Sequence, residues 1–325
     1  MIRRRLLLCF PWLALPGCEP KRPASDARHK GLPRLAERPE DLLPPGLDVV
    51  LRLDLRRLRD AAASPALAPW QEPLQRRLGR GEQASLLELL RARAERIWVG
   101  LRGMPSAGRL DAVLVARGDF SSFDPSSQGG PWERSPTVHL GRAIFERKGE
   151  TPRGLPSLLA LVDNRLLALA TPLEAPAVRR VLENEPAAAG LAPPADGLLG
   201  LAIRPSALVR AAQEPYPHLA SLLSALEAAE VVVDHGDGAL RIELRLSART
   251  EEGAERVERV LLGWKDVFSG DDDPVARALA AGARVERDGP RSVRGRLRVE
   301  AEIARRLAGA LESVEGTSPP RPPSP

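Results

Sequence analysis

The chain has 325 residues, 43% of them apolar and only 3% aromatic, with 48 basic and 43 acidic side chains and a formal charge of +5. An apolar fraction of that size supports a substantial core of Leu, Val and Ala, so stability can come from burial alone. Three of the basic groups are Arg3, Arg4 and Arg5, and without residues 1–17, which hold no acid, the excess falls to about +2, which leaves a nucleic-acid surface without support.

From Leu6 to Leu15 the chain is apolar for about half the ~20 residues a membrane-spanning helix needs, and Pro11 and Pro16 interrupt it. Placed behind three arginines, this stretch has the layout of a secretory signal peptide over residues 1–17. The segment Leu15-Pro16-Gly17-Cys18 resembles the lipobox of bacterial lipoproteins. That resemblance implies that Cys18 receives a diacylglycerol thioether and, once cleaved, becomes an N-terminus acylated with chains such as palmitate. The same residues also allow ordinary cleavage near Ala14 or Gly17, which would leave a free thiol. With Cys9 in the discarded run, the mature chain has no disulfide and no cysteine metal site. Glu19 is similar to the residue at this position in lipoproteins sorted to an outer membrane. The expected address is therefore exported and lipid-anchored to the cell envelope, with the membrane held through Cys18.

Residues 18–45 are rich in proline and charge, with Pro20, Pro23, Pro33, Pro39, Pro44 and Pro45, and read as a disordered spacer. Two stretches then share a pattern. Val49 to Ala62 alternates Leu51, Leu53 and Leu55 before turning helical; residues 199–212 alternate Leu201 and Ile203, with Leu208 where the first copy has Leu58. Helical spacing follows around Leu86 to Leu90, and at Leu219, Leu222, Leu223 and Leu226. Strand pairs come next: Ile97 to Leu101 with Leu110 to Ala116, and Val231 to Val233 with Leu240 to Leu246, separated by turns carrying Gly103 and Gly108 or Gly236 and Gly238. In the first half a polar loop from Ser121 to Pro136 precedes a strand from Val138 to Glu146. Each half closes with a hairpin and a helix, the hairpins turning at Asp163-Asn164 and Asp288-Gly289. In the second half a helix opens after Thr250, with Ala254, Val257, Val260, Leu261 and Trp264 on one face.

The expected fold is α+β: two duplicated halves, 46–185 and 196–313, each a mainly antiparallel sheet backed by helices, joined by a linker at 186–195 and followed by a disordered Pro-rich tail at 314–325.

Chemical motifs are weak. Gly79-Arg80-Gly81-Glu82-Gln83-Ala84 fits a glycine-rich dinucleotide pattern but follows a helical stretch, where a turn is the better reading. Gly103 to Gly108 places Ser106 between two antiparallel strands, not at a strand-to-helix elbow. His29, His139, His218 and His235 are scattered. Asp234-His235-Gly236-Asp237-Gly238 could offer ligands to a metal, but reads as a hairpin turn. Asp271-Asp272-Asp273-Pro274 reads as a helix cap with Pro at the first helical position. No catalytic, cofactor or metal residue is assigned, and lipidation at Cys18 is the one site. The function expected is a non-enzymatic binding or assembly component of the cell envelope, using a sheet face or the groove between the halves to hold an envelope protein or polymer. Two alternatives stay open. One is a lipid or small-ligand carrier with a cavity between sheet and helices. The other is a hydrolase whose site gathers Asp234, His235 and Ser106.

Overall fold

Strand β1, Val49–Asp54, alternates half-buried Val49, Leu51 and Leu53 with buried Val50, Arg52 and Asp54, so neither face of the sheet is open there. The computed structural model describes residues 38–71, 82–106, 109–127, 130–136, 142–152, 155–183, 190–212 and 217–315. The signal segment, Cys18, His29, His139 and the tail from residue 316 lie outside the described residues.

After β1 come α1 (Leu55–Ala61), α2 (Glu82–Arg93), β2 (Ala94–Ser106), β3 (Arg109–Gly118), β4 (Trp132–Arg134), β5 (Ala143–Arg147), β6 (Leu158–Leu161), β7 (Leu166–Ala170) and α3 (Ala175–Leu182). The second half runs β8 (Leu199–Ile203), α4 (Pro205–Ala212), α5 (Pro217–Ser224), β9 (Leu226–Gly236), β10 (Ala239–Ala248), α6 (Glu251–Ser269), α7 (Pro274–Gly282), β11 (Ala283–Arg287), β12 (Ser292–Glu300) and α8 (Ala301–Glu315). The chain is α+β, with its strands in one antiparallel sheet of order β11-β12-β10-β9-β8-β1-β2-β3-β7-β6-β5-β4. The expectation of a separate sheet for each half is thus corrected: β1 and β8 pair directly, Val49 with Ile203 through Leu53 with Leu199, and fuse the two. Outward from this central ladder the order is β9, β10, β12, β11 on one side and β2, β3, β7, β6 on the other, with β5 and β4 added beyond.

Period-2 alternation sorts the side chains into two faces. On one face, helices cover the second half of the sheet, and α2 with a set of aromatic side chains covers the first. Leu208, Leu222, Leu223, Ala254 and Val257 from α4, α5 and α6 close over Val231, Leu246 and Val293. Ala304 of α8 and Leu279 of α7 close over Leu240 and Val299, and Ala66, just beyond α1, joins them. Leu90 of α2, with Phe120, Trp132 and Phe145, closes over Ile97, Leu159 and Leu167. On the other face, among the described residues, only the first half is covered, where Val178, Val181 and Leu182 of α3 and Leu42, Leu43 and Leu47 lie on Val113, Val115, Leu158 and Ala168. Full burial of each Leu, Val, Ile or Phe among these contributes about 1.5–3 kcal/mol.

Several boundaries differ from the sequence reading for physical reasons. The spacer does not extend to residue 45: Pro39–Leu42 forms a short 3-10 turn, and Leu42, Leu43 and Leu47 are core residues. Leu226 opens β9 instead of closing a helix, because α5 stops at Ser224 and β9 continues far enough to pair Leu226 with Ala248. The loop at Ser121 to Pro136 contains β4, held by Trp132 against Phe145, and the expected strand from Val138 starts only at Ala143 among the described residues. The linker beyond Gly190 is packed on the sheet: the Pro194 carbonyl sits so close over Gly200 that a Cβ there would meet it at 2.3 Å.

The capping readings hold. Thr250 accepts a hydrogen bond from the Gly253 amide at 3.0 Å, and Glu252 is held below the usual carboxylate range, mainly by its own backbone amide and then by Thr250. Because that carboxyl is depressed, its contribution is complete at neutral pH and fades as pH falls through its lowered value. Thr250→Ala should cost about 1 kcal/mol by urea unfolding at pH 7. Asp273 accepts from the Val275 amide at 2.8 Å with Pro274 in the first helical turn, as expected.

Candidate interaction surface

The sequence Leu240-Arg-Ile-Glu-Leu-Arg-Leu246 puts Arg241, Glu243 and Arg245 on the sheet face opposite the helices. Val293-Arg-Gly-Arg-Leu-Arg-Val299 does the same with Arg294, Arg296 and Arg298. The register sets Arg241 against Arg298, Glu243 against Arg296 and Arg245 against Arg294. Next to β12, Arg284 and Glu286 of β11 oppose Arg296 and Arg294. Next to β10, Glu230 and Asp234 of β9 oppose Arg245 and Arg241. The uncovered half of this face is therefore a grid of arginines and carboxylates, with Arg241 54% and Arg296 49% exposed at the side chain.

Cross-strand arginine pairs repel, at roughly 0.2–1 kcal/mol each, and the grid offsets this by interleaving acids. Arg245 donates to Glu243 at 2.8 Å and lies 3.9 Å from Glu230. Arg294 approaches Glu243 at 3.5 Å and Asp288 at 2.7 Å, and Arg296 pairs with Glu286 at 3.1 Å. Arg298 donates to Glu300 at 2.6 Å. The bond to Glu243 holds Arg245 above the ordinary arginine value, and that to Glu300 does the same for Arg298. Exposed pairs of this kind add little to stability, so the grid is a surface with fixed charge geometry more than a brace. It suits recognition of a partner carrying both signs of charge.

A buried arginine and a buried aspartate brace the face's border. Arg52 is 3% exposed and donates to the carbonyls of Pro194, Asp196 and Gly197 at 2.9, 2.5 and 2.9 Å, which straps the linker over β8. Burial lowers its pKa, and the neighbouring Asp54 acts in the opposite direction. Asp54, also buried, accepts from the Arg57 amide at 3.0 Å and from Arg96 at 3.0 Å. Arg57 reaches across from α1 to both carboxylate oxygens of Asp234, at 3.3 and 3.2 Å, tying the first half to the end of β9.

The hydrolase grouping is not assembled. Asp234 and His235 are adjacent on β9 and so face opposite sides of the sheet. Ser106 ends β2 beyond Leu101, at the sheet end where β1 begins, whereas Asp234 lies past the level of Leu53. At about 3.3 Å per residue that is a separation of roughly 30 Å along the strands. Asp234 is instead committed to Arg57. Asp237 and Gly238 take positive φ of 54° and 72°, the geometry of a tight hairpin turn, as the sequence reading held. Gly79 to Gly81 and Gly108 lie outside the described residues. Among the described residues no three His, Cys, Asp or Glu side chains come together as metal ligands, and no helix is long and apolar enough to cross a membrane.

The sequence reading missed the grid. Its signal is present in the strict alternation of charge with Leu, Ile or Val in β10 and β12, but which strands stand side by side is a matter of register.

No family model matches the chain, and no curated protein sequence matches it. The fold is similar to that of TP0453. Crystal form III of that protein aligns at a TM-score of 0.50 and 14% identity, over 84% of this chain and 97% of that one. Crystal form IV aligns at 0.50 and 14%, over 85% and 96%. At this identity the likeness shows the fold alone.

Proposed function

We propose that the protein is a lipid-anchored component of the cell envelope that acts by binding, with the charged sheet face of β9, β10, β12 and β11 as its docking surface for another envelope protein. One observation carries the reading: helices cover the apolar side of this half-sheet, while its other side is a patterned array of arginines and carboxylates over which, among the described residues, no helix lies. A solvated face with no role needs only scattered polar groups; here strands from distant parts of the sequence bring Arg241, Arg298, Glu243 and Arg296 into one array. The matching strand order on the two sides of the central ladder supports the view that the halves are duplicated, with the first half having gained a cover, from α3 and the 39–47 segment, that the second lacks.

The anchor is the lipid on Cys18, and acyl chains contribute about 0.8 kcal/mol per buried methylene, so two or three hold the protein at the membrane without help from the body. The outer membrane is the favoured location, from Glu19.

The test is cross-linking in intact cells with recovery of the full-length protein from membranes. We expect a stoichiometric protein partner with the wild type, and its loss in both Cys18→Ala and the double reversal Arg241→Glu, Arg298→Glu, the latter still membrane-bound. A partner retained by the double reversal overturns the docking face. An intact mass showing unmodified Cys18 in the mature protein overturns the anchor.

A further inference from the structure

Among the described residues the sheet ends at β11, with no backbone partner on its outer edge, and that edge is patterned. Asp288 donates its amide to the Ser292 carbonyl at 2.9 Å, which fixes the alternation of the β11–β12 ladder. Counting back by twos, Glu286 and Arg284 turn their backbone groups toward β12, while Val285 and Arg287 turn theirs outward. Ala283 also faces outward, but its amide is already spent on the Ala280 carbonyl at the end of α7, so only its carbonyl remains. The edge thus offers a donor and an acceptor at Val285, a donor and an acceptor at Arg287, and an acceptor at Ala283.

We infer that this edge pairs with the same edge of a second copy of the chain, antiparallel about Val285, to make a two-fold dimer with one continuous sheet. This inference does not depend on the proposed function. The backbone pattern closes on itself. Val285 of each copy exchanges both hydrogen bonds with Val285 of the other, and Arg287 of each donates to Ala283 of the other. The side chains close as well. In this register Arg284 stands opposite Glu286 of the second copy, twice by symmetry, on the charged face. The two Val285 side chains meet on the helix side, extending the apolar cluster that Val285 already joins. Charged edge strands commonly resist pairing. Here the two charges are of opposite sign and two residues apart, which makes the antiparallel register about Val285 attractive. A pairing centred on Arg284 would instead set arginine against arginine. An isologous contact of this kind is the form that a closed dimer requires.

The strand is short, so the interface belongs to the small, weak class. The experiment is sedimentation equilibrium on the full-length mature protein in detergent, from about 10 to 500 µM as such a contact demands. The wild type should move from monomer to dimer over that range. Arg284→Glu and Glu286→Arg each place like charges opposite one another at both symmetric contacts and should each weaken self-association about tenfold or more. Mixed together, the two variants have complementary edges and should form a heterodimer near wild-type strength. Val285→Pro removes an amide that faces away from β12, a placement that an edge strand tolerates. It should keep the wild-type circular dichroism and abolish the dimer, which covers the case in which a charge reversal misfolds. A wild type that stays monomeric throughout, or a dimer indifferent to Val285→Pro and to both reversals, overturns the inference.

Discussion

Replacing Arg102 with alanine should destabilise the protein by about 2–3 kcal/mol: removing one partner of a fully buried ion pair costs about 3–5 kcal/mol, and with Arg102 40% exposed at the side chain solvent screens part of that. Glu174, just before α3, is 2% exposed, and its carboxylate accepts from Arg102 at 2.5 and 3.2 Å. Arg102 itself is held above the ordinary arginine value, first by that bond. It also donates to the carbonyls of Gly46 and Pro45 at 2.9 and 3.1 Å. Its loss therefore strands a buried carboxylate and frees the arm that carries Leu42, Leu43 and Leu47 over the sheet. Chemical denaturation of Arg102→Ala, Glu174→Ala and the double variant separates these effects. The double variant should lose less than the two singles added together, because it leaves no charge stranded. Strict additivity would show that the pair is not coupled.

Arg52→Ala should have an effect of similar size by another route. Three linker carbonyls lose their donor, and each buried acceptor left unpaired costs about 1–3 kcal/mol, less where water can enter. A total of about 3 kcal/mol is expected, together with local release of the strap. Limited proteolysis should cut the variant between Gly190 and Gly197 at protease levels that spare the wild type. Arg52→Lys should rescue poorly, since a single ammonium cannot span carbonyls that a fork-shaped guanidinium reaches together. Cleavage unchanged in Arg52→Ala would mean that the strap is held by something else.

These two arginines also show where sequence reading stops. The alternation of Leu51 and Leu53, the Asp-Gly hairpins, the Thr250 cap and the Asp273-Pro274 cap are local devices, each with its partner within a few residues, and each was legible. From its neighbours alone Arg52 is one more polar residue on an alternating strand, because its carbonyl partners lie about 140 residues away. Trp132 looked like part of a polar loop, because the aromatic cluster that buries it, with Phe120 and Phe145, is assembled by the sheet. Leu226 fits a helical spacing as well as a strand, and only the length of its partner β10 decides between them. The charged face was hidden for the same reason. The alternation in β10 and in β12 was visible strand by strand, but that Arg298 stands beside Arg241, on the face opposite the helices that pack on these strands, follows from register and from which face those helices choose.

The ladder between β1 and β8 also sets an order of events in time. β1 can pair with β2 as soon as the first hundred or so residues exist, but its other edge must wait for β8, so joining them closes a loop of about 150 residues. Loop length itself adds only slowly to the entropy of closure, yet long-range pairing slows folding markedly. Until β8 arrives, the first half carries a bare strand edge, Val49-Val-Leu-Arg-Leu53, with only one charge along it. A nascent chain is at its most aggregation-prone in that interval, and synthesis of β8 is the moment at which the hazard ends.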